Sequence, residues 1–132
     1  MNIRLITSSL GRLAAAAALL GATALASAEP GDISHGAALF ATHCAECHSM
    51  KEGKNKKGPS LFATFGAKAA QREGFAYSDA LRNSQISWTA NALSRYIANP
   101  RTAVPGGKMK YEGLASASDR QDLIAYLAQP AN

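Results

Sequence analysis

Between Asp32 and His43, Ile33, Gly36, Leu39, Phe40 and His43 recur at spacings of three and four, one face of a helix. No Gly or Pro follows His43 until Gly53, so helical structure could continue through Cys44 and Cys47. Gly53, Gly58 and Pro59 then break the chain, and residues 50–70 read as loop with a short turn at most. A short helix is predicted over Tyr77 to Leu81. Another runs from Thr89 to about Ala98, carrying Leu93, Tyr96 and Ile97, and ends because Pro100 disfavours helix at Asn99. Val104-Pro105-Gly106-Gly107 reads as a turn. Ser116 or Ser118 can cap a last helix that buries Leu123, Ile124, Tyr126 and Leu127. Ser118 with Gln121 fits a capping box, and Asp119 and Asp122 suit the positive end of the dipole. Neither a strand of sustained alternation nor an internal repeat is visible. The expected fold class is all-α, with main helices towards the ends and loops between them.

The first 28 residues stand apart. Arg4 and Arg12 form a basic start, Leu13 to Leu20 is an unbroken Leu/Ala run, and Ala26-Ser27-Ala28 precedes Glu29 as a cleavage site. This is the pattern of a secretory signal peptide. Leu13 to Ala26 is 14 residues, shorter than the roughly 17–25 a spanning helix needs. Cleavage, export to the periplasm and no permanent membrane anchor are therefore expected. The remaining domain, 29–132, has 104 residues with 12 Lys and Arg against 9 Asp and Glu, a net charge of +3. Lys51, Lys54, Lys56 and Lys57 form one basic group, and Arg101, Lys108 and Lys110 another. Neither is interleaved with aromatic residues, which argues against nucleic acid as a partner.

A core of this size is modest, and the middle of the chain is rich in Gly and Pro. Such a domain needs something else to fill its interior. A disulfide between Cys44 and Cys47 would close only a very small loop. A bulky apolar cofactor would fill the interior directly, and Cys44-Ala45-Glu46-Cys47-His48 is the attachment signature of haem c. Each thiol adds across one vinyl group, one helical turn sets both sulfurs along one porphyrin edge, and His48 follows as the proximal iron ligand. A thioredoxin-type dithiol does not need His48. A zinc site needs further ligands, and His35 and His43 lie upstream with no downstream partner.

The sixth iron position separates a carrier from a catalyst. Met1 leaves with the leader, and Met50 is two residues from His48, too near to reach the opposite face. Met109 follows Pro105-Gly106-Gly107-Lys108, a turn able to deliver a side chain to a planar group, and is flanked by Lys108 and Lys110. Met109 therefore reads as a ligand on a loop. A thioether raises the reduction potential relative to a second imidazole.

The ordered series "GDISHGAALF", "CAECH", "KKGPSLF", "GFAYSDA", "ISW", "YIANP", "PGGKM" and "DLIAYL" resembles class I cytochrome c, in its cytochrome c2 and mitochondrial branch, over essentially all of residues 31–128. The resemblance implies three main helices and loops around one covalently bound haem, with Gly36 and Phe40 where the first helix crosses the last. It implies that the Pro59 carbonyl fixes the His48 ring, that Tyr77 and Trp88 bond a buried haem propionate, and that Tyr96 lies near the Met109 sulfur. Leu61, Leu93 and Leu123 would line the crevice. It implies a monomeric, soluble periplasmic one-electron carrier and no enzyme. The redox partners would present acidic docking surfaces: a bc1-type complex, an oxidase, a photosynthetic reaction centre or a dehydrogenase. The chain departs from the family's pattern at Ala67, Leu81, Gly107 and Tyr111, and in a lysine loop one residue shorter. An enzyme or gas sensor in which Met109 leaves the iron, and an oxidase subunit anchored by its leader, are the competing readings.

Overall fold

A computed structural model describes residues 29–129. The leader read over residues 1–28 lies outside them. Five helices occur among the described residues: α1 (Ile33–His43), α2 (Asp79–Asn83), α3 (Ala90–Ala98), α4 (Pro100–Ala103) and α5 (Ala117–Leu127). The only β pairing among them is an isolated bridge between Lys68 and Ser87. The all-α expectation holds, with α1, α3 and α5 as the three main helices.

Helix α1 starts where the Asp32 carboxylate accepts the Ser34 and His35 amides at 2.8 and 3.1 Å, satisfying two otherwise orphaned donors. Its buried face, Gly36 and Phe40, lies against α5. A Cβ on Gly36 would sit 2.1 Å from the Asp122 carbonyl oxygen, so only glycine lets the backbones approach this closely. One turn further on, the Phe40 and Tyr126 rings meet at 5.5 Å. Among the described residues Leu123 is the one large side chain with essentially no exposure; Ile124 and Leu127 extend the buried stripe, and Leu93 and Ile97 of α3 close it from the other side.

Several boundaries differ from the sequence reading. Helix α1 stops at His43, and Cys44 begins a separate turn. Ser78 caps α2 at the Leu81 amide, which starts that helix two residues later than expected and leaves Tyr77 buried ahead of it. Pro100 ends α3 and also opens α4. Asn99 is C-cap to one and N-cap to the other, accepting the Thr102 amide at 3.0 Å, and Pro occupies the first position of α4, where no N–H is needed. Ser116 rather than Ser118 caps α5, accepting the Asp119 amide at 3.2 Å. No Ser118–Gln121 capping box forms: Ser118 meets the Ser116 hydroxyl, and Gln121 donates to the Glu29 carbonyl.

Asp122 has a different use from the dipole contact expected of it. Its Oδ1 accepts the Asp32 amide at 2.7 Å and its Oδ2 lies 2.8 Å from His35 Nδ1, clasping α1 to α5. The Asp122 hydrogen bond raises the His35 pKa, with Asp119 and Asp32 adding to the effect, and His35 holds the Asp122 pKa down. A raised histidine pKa contributes stability that is complete below its unfolded value and lost as pH rises through the folded one. A depressed carboxylate pKa contributes above its unfolded value and is lost in acid. The clasp should therefore be strongest between those limits. The melting temperature of the wild type should exceed that of His35→Asn at about pH 5.5, and the gap should close as pH rises through the raised folded-state pKa of His35. A gap that widens with pH would contradict this.

Between α1 and α2 the chain is loop, fastened by side chains. The buried Ser60 hydroxyl donates to the Lys51 carbonyl, Asn55 accepts the Ser60 amide at 2.9 Å, and Arg72 reaches the Phe62 carbonyl. These bonds fix the loop that carries Gly58 and Pro59.

Candidate haem site

Residues Cys44 to His48 form a compact turn at the end of α1. The Cys44 amide still donates to the Phe40 carbonyl at 2.9 Å, and the Cys47 and His48 amides both donate to the Cys44 carbonyl, at 3.0 and 2.9 Å. Both cysteines are free thiols and half-buried, and Cys44 packs against the core cluster. Burial, with a smaller contribution from Cys47, pushes the Cys44 thiol up to about 11. Reactive redox cysteines have depressed values, so the structure disfavours a thioredoxin-like dithiol. Nor do three or more His, Cys, Asp or Glu side chains among the described residues group as metal ligands, as a protein-only zinc site would need.

The loop 58–60 holds the His48 ring. Nδ1 lies 2.8 Å from the Pro59 carbonyl oxygen, which can only accept, so Nδ1 carries the proton and Nε2 keeps its lone pair. Burial lowers the His48 pKa, with the Pro59 bond opposing it, and the net shift favours the neutral, ligating form. Gly58 lies flat against the imidazole: a Cβ there would be 2.4 Å from Cε1, and its amide donates to the Cys47 carbonyl at 2.7 Å. Two thiols, a neutral imidazole with one free nitrogen and a carbonyl fixing its tautomer fit a covalently attached haem.

Tyr96, Trp88, Leu61, Leu93 and Leu123 share one apolar cluster with Cys44. The Trp88 and Tyr96 rings meet at 4.9 Å, tilted by 56°. Tyr77 is buried against Phe75, ring centroids 4.9 Å apart, rather than within that cluster. Burial raises both the Tyr77 and the Tyr96 phenol pKa. Met109 is half-buried on a strap, Lys108–Gly113, after the turn in which Gly107 donates to the Val104 carbonyl at 3.0 Å. Beside it a cavity of ≈ 750 Å³ is lined by Arg101, Gly106, Gly107, Lys108, Met109 and Lys110. Met50 packs on the apolar cluster instead. Tyr111, at one of the departures, lies edge-on to His43 at 6.2 Å, and its hydroxyl is buried with no partner among the described residues, a polar atom facing the same interior. Ala67 uses its carbonyl to accept the Trp88 amide at 2.8 Å, and Leu81 packs against the cluster.

Sequence reasoning missed three residues that shape this region. Gly58 was visible only as a loop breaker, although its position just before Pro59 places it against His48. Gly113 has φ +111, and a Cβ on it would lie 2.0 Å from the Ala98 carbonyl oxygen; nothing in its neighbours signals this. Arg120, in a helical run, bonds the carbonyls of Leu114 and Ala115.

Comparison with known proteins agrees with this geometry. The family model described as Cytochrome c matches residues 33–130. Cytochrome c of Gibberella zeae is 48% identical over 98 residues, covering 74% of this chain and 92% of that protein. Cytochrome c of Stellaria longipes is 45% identical over 98 residues, 74% of this chain and 91% of its own. Among solved structures, cytochrome cH from Methylobacterium extorquens superposes with a TM-score of 0.69 at 40% identity, covering 74% of this chain and 97% of its own. Members of the family carry one covalently bound haem c and are electron carriers, not enzymes, and Cys44 and Cys47 fit the attachment motif. This chain belongs to the cytochrome c family and is a haem-based electron carrier.

Proposed function

We propose that the chain is exported, loses residues 1–28 and works in the periplasm as a one-electron shuttle in which His48 and Met109 would hold the haem iron. The observation that carries the ligand reading is the 2.8 Å contact of His48 Nδ1 with the Pro59 carbonyl, which leaves Nε2 as a lone-pair donor. The bound haem c supplies a reversible one-electron couple at its iron. His48 holds its ring orientation through Pro59 and Gly58, so little rearrangement accompanies a change of charge. Met109 would offer its thioether from the strap with Tyr96 beside that sulfur, and Tyr77 and Trp88 would bond a propionate. The leader-like residues 1–28 support export, as does covalent haem attachment. No helix among the described residues is long and apolar enough to cross a membrane.

The partners are redox proteins with acidic docking surfaces. Lys108 and Lys110 are exposed on either side of Met109, and neither forms an ion pair among the described residues. Arg101 is paired with Glu112 at 2.8 Å and Lys57 with Glu46, so those two contribute less net charge. Steering by such a rim raises association rates by roughly 10–10³-fold and fades as the Debye length shortens to about 8 Å at physiological salt. The rate of electron exchange with an acidic partner should fall as salt rises. Lys108→Glu should slow it by about fivefold at low salt, a change of about 1 kcal/mol, whereas Lys68→Glu should have little effect. A rate that is flat or rising with ionic strength would contradict this docking surface.

A further inference from the structure

We propose that Arg120 is a positioning residue that latches the downstream end of the Met109 strap to helices α3 and α5. The inference rests on the reading of Met109 as an iron ligand and adds what holds that ligand in place. Between Lys108 and Gly113 no backbone group is hydrogen-bonded within the described protein. The strap is therefore held from its ends. Upstream, Gly107 closes the turn on Val104, which is buried. Downstream, the Leu114 amide donates to the Ile97 carbonyl at 2.9 Å, and Gly113 passes so close to Ala98 that no other residue fits.

Arg120 completes the downstream end. Its Nη1 donates to the carbonyls of Leu114 at 2.8 Å and Ala115 at 2.7 Å, and its Nε donates to Ser94 Oγ of α3 at 3.1 Å. One guanidinium thus joins α5, α3 and the strap's end. These are charge-assisted bonds from a half-buried, planar donor, stronger than neutral ones and fixed in direction. The one ion pair on the strap among the described residues, Arg101 with Glu112, is exposed at both side chains and adds little. Opening the strap would break the Arg120 bonds or drag against them. Their loss should raise the frequency with which Met109 withdraws, without changing Met109 or His48.

The test uses the oxidised holoprotein and imidazole as the probe, which takes the position Met109 leaves. At saturating imidazole the binding rate reports strap opening. Arg120→Gln should raise that limiting rate by about tenfold or more, as expected for losing charge-assisted hydrogen bonds. Arg120→Lys, which keeps the charge but not the fork, should give a smaller increase. Amide exchange at Leu114 should quicken in parallel, while the near-infrared sulfur-to-iron band persists at pH 7 without imidazole. An unchanged opening rate and unchanged Leu114 exchange in a folded Arg120→Gln protein would overturn the latch. Should that variant fail to fold, a wild-type opening rate in Arg120→Lys would overturn it, and a faster one would support it. If the wild type itself lacks the sulfur band, the ligand reading fails, and Leu114 exchange alone decides the latch.

Discussion

Exported with Cys44→Ser and Cys47→Ser, the chain should show little helix by circular dichroism and no cooperative melting. The reason lies in how little the protein buries by itself. Among the described residues Leu123 is the only large side chain with less than 2% exposure, and the loop from Met50 to Tyr77 has no helix of its own, held by scattered side-chain and backbone bonds and a few contacts with the core through Met50, Leu61 and Ala69. The apolar cluster of Trp88, Leu93, Tyr96 and Leu123 reaches the chain's haem-attachment turn through Cys44. Without the covalent link, that cluster must either collapse or leave a void. At ~24 cal/mol per Å³ of residual void, a haem-sized gap would cost a large part of the whole stability of about 5–15 kcal/mol of a typical domain. The helices α1 and α5 could still associate through Gly36 and Phe40, so residual helix is expected there alone. A cooperatively melting, fully helical double variant would show that the polypeptide carries its own core.

Met109→Ala should produce the second large effect, and should leave folding nearly intact because Met109 is only half-buried and outside the apolar cluster. Removing the thioether should lower the reduction potential, since a Met ligand favours the ferrous state. It should also let cyanide bind the oxidised protein far faster than in the wild type. His48 should stay in place, because its ring is fixed by Pro59 and Gly58 on a different loop from the strap. A variant with wild-type potential and slow cyanide binding would remove Met109 from the ligand set and shift attention to Met50 or a nitrogen ligand.

The parts of this molecule that were legible in the sequence are those whose signals are local. Helix α1 announces itself by the spacing of Gly36, Leu39 and Phe40, although Ile33 on the same expected face is 44% exposed, and the attachment turn by its two thiols and histidine. Pro100 was legible as a helix end but not as a helix start, because the same residue suits both roles and only the packing of Asn99 decides. The Ser116 cap was ambiguous for a related reason: two serines two residues apart are both competent, and the fold selects the one whose hydroxyl meets the Asp119 amide. Less legible were residues that act across the chain. Asp122 looks like a dipole partner within α5, yet its bonds go to Asp32 and His35, some ninety residues away. Gly58 and Gly113 matter because of which atoms face them, His48 in one case and the Ala98 carbonyl in the other. Arg120 reads as an ordinary charged position on a helix, and only the path of the strap shows what it holds.

The measurement that tests the central claim most directly is a spectroelectrochemical titration of the intact holoprotein, followed through the visible and near-infrared. One haem bound through Cys44 and Cys47, with His48 and Met109 on its two faces, predicts a single one-electron Nernst wave. It also predicts a weak near-infrared sulfur-to-iron band that is present in the oxidised form at neutral pH and vanishes in step with reduction. A wave of more than one electron per chain, or an oxidised spectrum lacking that band, would contradict the account.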